Sequence, residues 1–78
     1  MNKEIDFETY LIISYGKFEI FLLDIKNHKN IYQEEFKFRE ALEKIDFNLL
    51  DEFLGNNIFK IEKLAGNFVN NINIVIEN

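Results

Sequence analysis

The longest periodic segment of the chain, residues 48–76, predicts an amphipathic helix followed by a strand. Projected at 100° per residue, apolar side chains fall on one broad helical face and polar side chains fall mainly opposite. The apolar face consists of Leu50, Phe53, Leu54, Ile58, Ile61, Leu64 and Ala65. The earlier strands can pack against this face, which makes the segment the packing centre of the predicted fold.

The ends of the helix are predicted from capping residues. Asn48, followed three residues later by Asp51, resembles a capping box with Asp in the place of the usual Glu. Gly66 stands directly after the last apolar position, where a left-handed residue stops a helix. Beyond it, isoleucines alternate with asparagines over residues 72–76, a pattern typical of a strand.

Three shorter β-prone runs precede the helix: residues 9–13, residues 17–25 and a run that opens at Ile31. A glycine turn joins the first two runs, and a polar turn over residues 24–30 joins the next. The first run is apolar, which predicts a strand covered on both faces, and the second is largely apolar on both faces, which predicts a central position in the sheet. The third alternates apolar with polar or charged residues, which predicts an edge strand or a strand with one uncovered face.

The predicted fold class is α+β, with the element order β-β-β-α-β. Short turns make the first three strands antiparallel, and the helix allows the fourth to run parallel to the first through a right-handed crossover. We expect a four-stranded mixed sheet in the order 3-2-1-4, with one main helix on one face. Residues 1–78 form one small domain, with residues 1–7 frayed and residues 39–44 in a turn or a single helical turn.

Composition narrows the classes of function. A net charge of −5 argues against nucleic acid, because binding there rests on Lys and Arg at phosphates. The absence of Cys excludes disulfides and thiolate metal sites. Apolar runs are far shorter than the ~20 residues that cross a bilayer, and the acidic N-terminus lacks a signal-peptide pattern. We expect a soluble, cytoplasmic protein with no direct membrane insertion.

The chain offers few candidates for catalysis or metal binding. His28 is the only histidine, and we interpret it as a solvated turn residue because no second His or Cys can complete a zinc site. The adjacent acids Glu34-Glu35 and Asp51-Glu52 point apart in a strand or helix, so a solvated face is their default interpretation. We predict no catalytic residue and no metal site.

The glycine turn, Ser14-Tyr15-Gly16-Lys17, is the one candidate for phosphate binding. A β-turn-β connection can place backbone N–H groups against a phosphate. A single glycine is a weak signal, so an ordinary hairpin is favoured. Ser14 has no plausible His partner, which argues against a Ser-His nucleophile.

Two motifs flank the predicted helix. The hydrophobic-Asp pair Ile45-Asp46 precedes it, and residues 61–66 at its end are Ile-Glu-Lys-Leu-Ala-Gly. Both are similar to motifs of the bacterial cell-division protein FtsA, a member of the actin-like ATPases, whose helix ends in Ala-Glu-basic-apolar-Ala-Gly. The resemblance implies a ribonuclease H- or actin-like half-domain that corresponds to the first lobe of a much longer protein.

The same resemblance implies that phosphate binding has been lost. Members of the family hold ATP phosphates through an Asp-apolar-Gly turn between the first two strands, where the Asp also helps to place Mg²⁺. The matching turn here is Ser14-Tyr15-Gly16, so the carboxylate is missing, and Glu19 would repel a triphosphate. We expect no cofactor at this degenerate loop and no enzymatic activity.

We therefore expect a non-catalytic module, resembling the first lobe of an actin-like cell-division protein, that acts through protein–protein contacts. The last strand has an open edge, and open edges invite pairing, so a homo-oligomer or a protein partner is expected. Phe59 projects into the polar arc of the helix, where chance exposure and a partner contact both stay open. The alternative is an unrelated small α+β homo-oligomeric interaction module. The candidate interface residues are Phe59, Ile72, Ile74 and Ile76.

Overall fold

The computed structural model describes residues 6–39, 44 and 46–77 of the chain. It confirms the α+β class and the order β-β-β-α-β. Residues 1–5 and most of the turn predicted over residues 39–44 lie outside the described residues. The elements are β1 (Phe7–Ile13), β2 (Lys17–Asp24), β3 (Lys29–Lys37), α1 (Phe47–Ala65) and β4 (Asn73–Ile76).

The strands form one mixed sheet in the predicted order β3-β2-β1-β4, with β4 parallel to β1 and the other pairs antiparallel. Several predicted boundaries differ from the structure: β1 begins at Phe7 rather than residue 9, β2 ends at Asp24 rather than residue 25, and β4 begins at Asn73 rather than residue 72. Phe7 is not frayed: it belongs to β1 and packs against the core, and the neighbouring Asp6 carbonyl accepts the Ile25 N–H at 2.9 Å. β3 begins at Lys29 rather than Ile31, because an irregularity in the β2–β3 register lets the pairing continue further into the turn.

The core lies between the helix and one face of the sheet. Side chains alternate along β1 and β2, so every second one points into this layer. The ring of Phe18 contacts Phe38 edge-to-face at 4.9 Å between centroids and Phe53 of the helix at 5.8 Å, which ties sheet and helix together. The buried apolar side chains are Leu11, Ile13, Phe18, Ile20, Leu22, Phe53 and Ile61.

The N-cap of the helix is Asp46, so the predicted capping box of Asn48 and Asp51 is wrong. The Asp46 backbone is extended, and its carboxylate accepts two backbone N–H bonds of the first turn at 3.0 and 3.1 Å. Asn48 and Asp51 therefore lie inside the helix. The other end is as predicted: Gly66 is left-handed, with φ 78°, and its N–H donates to the Glu62 carbonyl at 2.9 Å.

The predicted apolar face of the helix is largely correct, with one wrong member and two omissions, Asn57 and the half-buried Leu49. Leu64 is 51% exposed, because the buried row Phe53, Asn57 and Ile61 advances in steps of four residues and leaves it on the flank. Asn57 is buried in place of an apolar residue, and its side-chain oxygen accepts a hydrogen bond from the Tyr32 hydroxyl. The half-buried members are Leu50, Leu54, Ile58 and Ala65.

The helix covers only one face of the sheet, where it lies over β2 and β3. The prediction that β1 is covered on both faces is therefore wrong within the part of the chain that the structure describes, whereas the predicted central position of β2 is confirmed. On the opposite face, Tyr10, Ile12, Phe21 and Leu23 are half-buried by their neighbours in the sheet, and no described helix lies over them. One helix about 10 Å wide cannot shield both sides of a four-stranded sheet.

Candidate functional site

The turn between β1 and β2 forms a hairpin that is closed on itself. The Ser14 N–H donates to the Lys17 carbonyl at 3.0 Å, and the Lys17 N–H donates to the Ser14 hydroxyl oxygen at 3.2 Å. The Ser14 hydroxyl in turn donates to the Lys17 carbonyl at 3.1 Å. Both backbone N–H groups point into the hairpin instead of outward, an arrangement that supports the hairpin interpretation over a phosphate loop.

The Lys17 ammonium, the one cationic side chain of this turn, is engaged by carboxylates. Its Nζ lies 3.2 Å from Glu35 Oε1 on β3 and 3.4 Å from Glu19 Oε1 on its own strand. The hydrogen bond to Glu35 raises the pKa of Lys17, and the same bond lowers the pKa of Glu35. An anionic ligand at this turn would have to compete with two acids for one ammonium group.

The outer strand β4 has the most exposed apolar side chains of the sheet. Ile74 and Ile76 are aligned with Leu11 and Ile13 of β1, so all four side chains point to the helix side. Leu11 and Ile13 are 1% and 5% exposed, whereas Ile74 and Ile76 are 58% and 66% exposed. The difference follows from the position of the helix, which lies mainly over β2 and β3.

The backbone of β4 also leaves hydrogen-bonding groups at a free edge. Glu77 donates its N–H to the Ile13 carbonyl at 2.8 Å, so its backbone faces β1. Backbone direction alternates along a strand, so Val75 also faces β1, and Ile74 and Ile76 present N–H and C=O groups to the outer edge. Among the described residues, no strand pairs with that edge.

The two edges of the sheet differ in charge. β3, at the opposite edge, has charged residues at Lys29, Glu34, Glu35 and Lys37, the kind of side chains that discourage strand addition. β4 has none, and three of its four residues are aliphatic. Of the two edges, β4 is the one suited to receive another strand.

The aromatic residue predicted at the interface, Phe59, lies near the end of the helix and is 61% exposed. The ammonium group of Lys63 lies 4.6 Å from its ring centroid, a cation–π contact that covers one side of the ring. Phe59 lines a shallow notch of about 320 Å³ together with Phe68, which is 81% exposed. Phe68 was not predicted from the sequence, because it lies in the irregular segment between helix and strand, where no periodicity identifies a face.

The fourth predicted interface residue, Ile72, is half-buried and packs against the core, so it does not share the exposure of Ile74 and Ile76. It precedes β4 and follows the asparagine-rich connection from the helix. That connection borders an open groove of about 690 Å³ between the helix end and the start of β1. The groove has an apolar floor that includes Leu22 and Ile61, and Asp6 is the only charged residue among the described residues that line it.

The other residues considered for catalysis or metal binding lie apart from one another in the structure. His28 is an exposed turn residue with a left-handed backbone, at φ 57°. Glu34 and Glu35 are consecutive in β3, so their carboxylates point to opposite faces of the sheet. Within residues 6–39, 44 and 46–77, no three His, Cys, Asp or Glu side chains are grouped so that they could hold a metal ion.

The structure thus defines an α+β protein with a mixed sheet, one covering helix and an exposed, uncharged edge strand. No family model, curated protein or solved structure matches this chain. The resemblance to FtsA therefore stays a prediction. No helix in the described part of the chain combines the length and apolarity needed to span a bilayer.

Proposed function

We propose that this protein is a non-catalytic interaction module that binds another protein strand along the outer edge of β4. The observation that carries the proposal is the combination of free backbone groups and exposed isoleucines at Ile74 and Ile76. Strand addition uses both features, since the backbone provides the hydrogen bonds and alternate side chains provide the contacts. The absence of charge on β4 removes the usual barrier to such pairing.

The proposal includes a relationship to the first lobe of an actin-like cell-division protein. The β-β-β-α-β order, the strand order and the Ile61–Gly66 segment at the helix end support it, although each is shared by the alternative of an unrelated α+β module. The same proposal places the protein in the bacterial cytoplasm. The closed hairpin at Ser14 and the engaged ammonium of Lys17 support the non-catalytic part.

The contact surface is tested by site-specific photocross-linking in cells that produce the protein. A photoreactive residue at Val75 reports on the β4 edge, and the same residue at Ile31 is the matched control, because the two are 42% and 37% exposed. We expect protein adducts of one reproducible mass at Val75 that are absent at Ile31, with their identity given by peptide sequencing. Adducts at neither position, or equal adducts at both, would contradict a role for this edge.

The non-catalytic part is tested separately by titrating the purified protein with ATP and Mg²⁺ in a calorimeter. We expect no binding heat, because the Ser14 hydroxyl cannot replace a carboxylate beside Mg²⁺ and Glu19 repels phosphates. Binding with a dissociation constant of about 1–10 μM would show that the degenerate-loop argument is wrong.

A further inference from the structure

We propose that the strand received by β4 is β4 of a second copy of this chain, paired antiparallel about a two-fold axis through Val75. This inference rests on the proposed function, since it names the partner for the same edge. The two sheets would then join into one continuous eight-stranded sheet, with β3 and its charged side chains at both outer edges. A closed two-fold pairing consumes both free β4 edges and leaves none for further growth.

The direction of the backbone groups limits the possible registers. Only Ile74 and Ile76 present N–H and C=O groups to the outer edge within β4, so only these residues can form the hydrogen-bonded pairs of an antiparallel ladder. One symmetric register pairs Ile74 with Ile76 of the second copy and centres the axis on Val75. A second register pairs Ile74 with its own equivalent and requires Ile72 to extend the ladder, and a third pairs Ile76 with its own equivalent and sets Val75 opposite Glu77 of the second copy.

Side-chain matching favours the register centred on Val75. There Val75 faces its own equivalent on the open side of the sheet, and Ile74 faces Ile76 of the second copy on the helix side. Every pair at the centre is aliphatic, and such cross-strand pairs are the stabilising units of a sheet. With Ile74 paired to its own equivalent, the polar Asn73 would face Val75 of the second copy, and with Ile76 paired to its own equivalent, Val75 would face the acid Glu77.

Charge does not oppose the favoured register, although each copy has a net charge of −5. Within Asn73–Ile76 there is no ionisable side chain. The nearest acid, Glu77, would lie opposite Asn73 of the second copy. The side-chain amide of Asn73 has two N–H donors, and its nitrogen lies 3.3 Å from the Thr9 carbonyl oxygen, so one donor is left for the acid. The acid therefore faces a donor instead of another acid.

The interface is small, which sets the expected strength. A four-residue strand is about 13 Å long, so the pairing falls below the roughly 800 Å² per partner of a standard stable interface. We expect a reversible dimer whose fraction rises over about 10–500 μM in sedimentation equilibrium. Val75→Lys, which places two ammonium groups face to face on the axis, should leave a monomer over that range, and Ile31→Lys should not.

Cysteine cross-linking tests the register, because the chain contains no Cys and any disulfide must come from the introduced residue. Directly opposed residues in a non-hydrogen-bonded pair have Cα atoms about 4.5 Å apart, within the range that a disulfide bridges. Val75→Cys should therefore form a covalent dimer under a mild oxidant at least about tenfold faster than the control Ile31→Cys. Circular dichroism of each reduced variant checks that the fold is intact.

A second set of variants separates the symmetric registers. Ile74→Cys alone should cross-link slowly, since its equivalent lies diagonally at about 7–8 Å, whereas a mixture of Ile74→Cys and Ile76→Cys should form the mixed dimer. Faster cross-linking of Ile74→Cys alone, or of Ile76→Cys alone, than of Val75→Cys would overturn the register. If Val75→Cys is no faster than Ile31→Cys and the protein stays monomeric, the second copy is not the partner. Adducts to a different protein at Val75 in cells would then still support the proposed function.

Discussion

A single hydrogen bond joins Tyr32 of the sheet to Asn57 of the helix. The free energy of unfolding lost when this bond is removed can be worked out from the structure. The Tyr32 hydroxyl donates to Asn57 Oδ1 at 2.5 Å, and the Asn57 side-chain amide donates to the Phe53 carbonyl at 2.8 Å. Asn57 is only 5% exposed, so water has little access to its oxygen. Tyr32→Phe would leave that buried acceptor unpaired while it preserves the ring.

The expected loss is about 1–1.5 kcal/mol, the lower half of the range for an unpaired buried group, because the partly exposed edge of Tyr32 admits some water. For a chain of 78 residues the whole stability is about 4–12 kcal/mol. With a urea dependence near 1 kcal/mol per molar, the unfolding midpoint should fall by about 1 M. Far-UV circular dichroism is the suitable probe, since the chain has no Trp.

A double variant distinguishes a lost hydrogen bond from lost packing. Tyr32→Phe combined with Asn57→Leu removes both polar partners, so no buried group is left unpaired and the midpoint should recover towards that of the native protein. A midpoint for Tyr32→Phe equal to that of the native protein would refute the reasoning. So would a double variant that is no more stable than Tyr32→Phe alone.

The same residue predicts the alkaline limit of stability. Burial, with a smaller contribution from Glu34, raises the pKa of Tyr32 above its usual value. A raised pKa in the folded state stabilises the protein fully below the unfolded pKa near 10, and that contribution is lost as pH rises through the folded pKa. Tyr32→Phe should therefore make the loss of stability above about pH 10 shallower, a change visible in urea midpoints measured across that range.

Two further predictions concern the glycines and the acid limit. Gly66→Ala should destabilise by about 1 kcal/mol because φ is 78°, whereas Gly55→Ala inside the helix should stabilise by about 0.5–1 kcal/mol. An added Cβ meets no atom within 4 Å at either site, so equal thermal shifts for both would refute the backbone argument. The Asn27 side-chain amide lies 2.8 Å from the buried Asp24 carboxyl and lowers its pKa. The lowered pKa stabilises the folded state above the unfolded pKa near 3.9, and this stabilisation is lost as pH falls through the folded pKa. Asp24→Asn should flatten the loss of stability below about pH 4 in acid titrations, and an unchanged profile would contradict that role.

The candidate interface was only partly accessible from sequence. Ile74 and Ile76 were predicted as alternating residues of an outer strand, and their exposure follows from that position together with the lateral offset of the helix. Phe68 had no periodic context that could assign it to a surface, and Ile72 was assigned to the interface although it packs on the core. Exposure depends on which neighbours arrive from elsewhere in the chain, and periodicity does not contain that information.

Local patterns determined the elements themselves. Period-two and period-3.6 alternation identified the strands and the helix, Gly66 marked the helix stop, and connection lengths together with chirality restricted the sheet to the order that is observed. These features depend on neighbours within a few residues, or on rules of chain connection, so a single sequence is sufficient to predict them.

Tertiary structure decided what local patterns could not. Asn57 became a core residue because Tyr32, 25 positions away, satisfies its side-chain oxygen. The helix lies mainly over β2 and β3, so the side chains of Ile74 and Ile76 on β4 are exposed. A hydrogen-bond partner and a covering helix are both supplied by remote parts of the chain, so they appear only once the chain has folded.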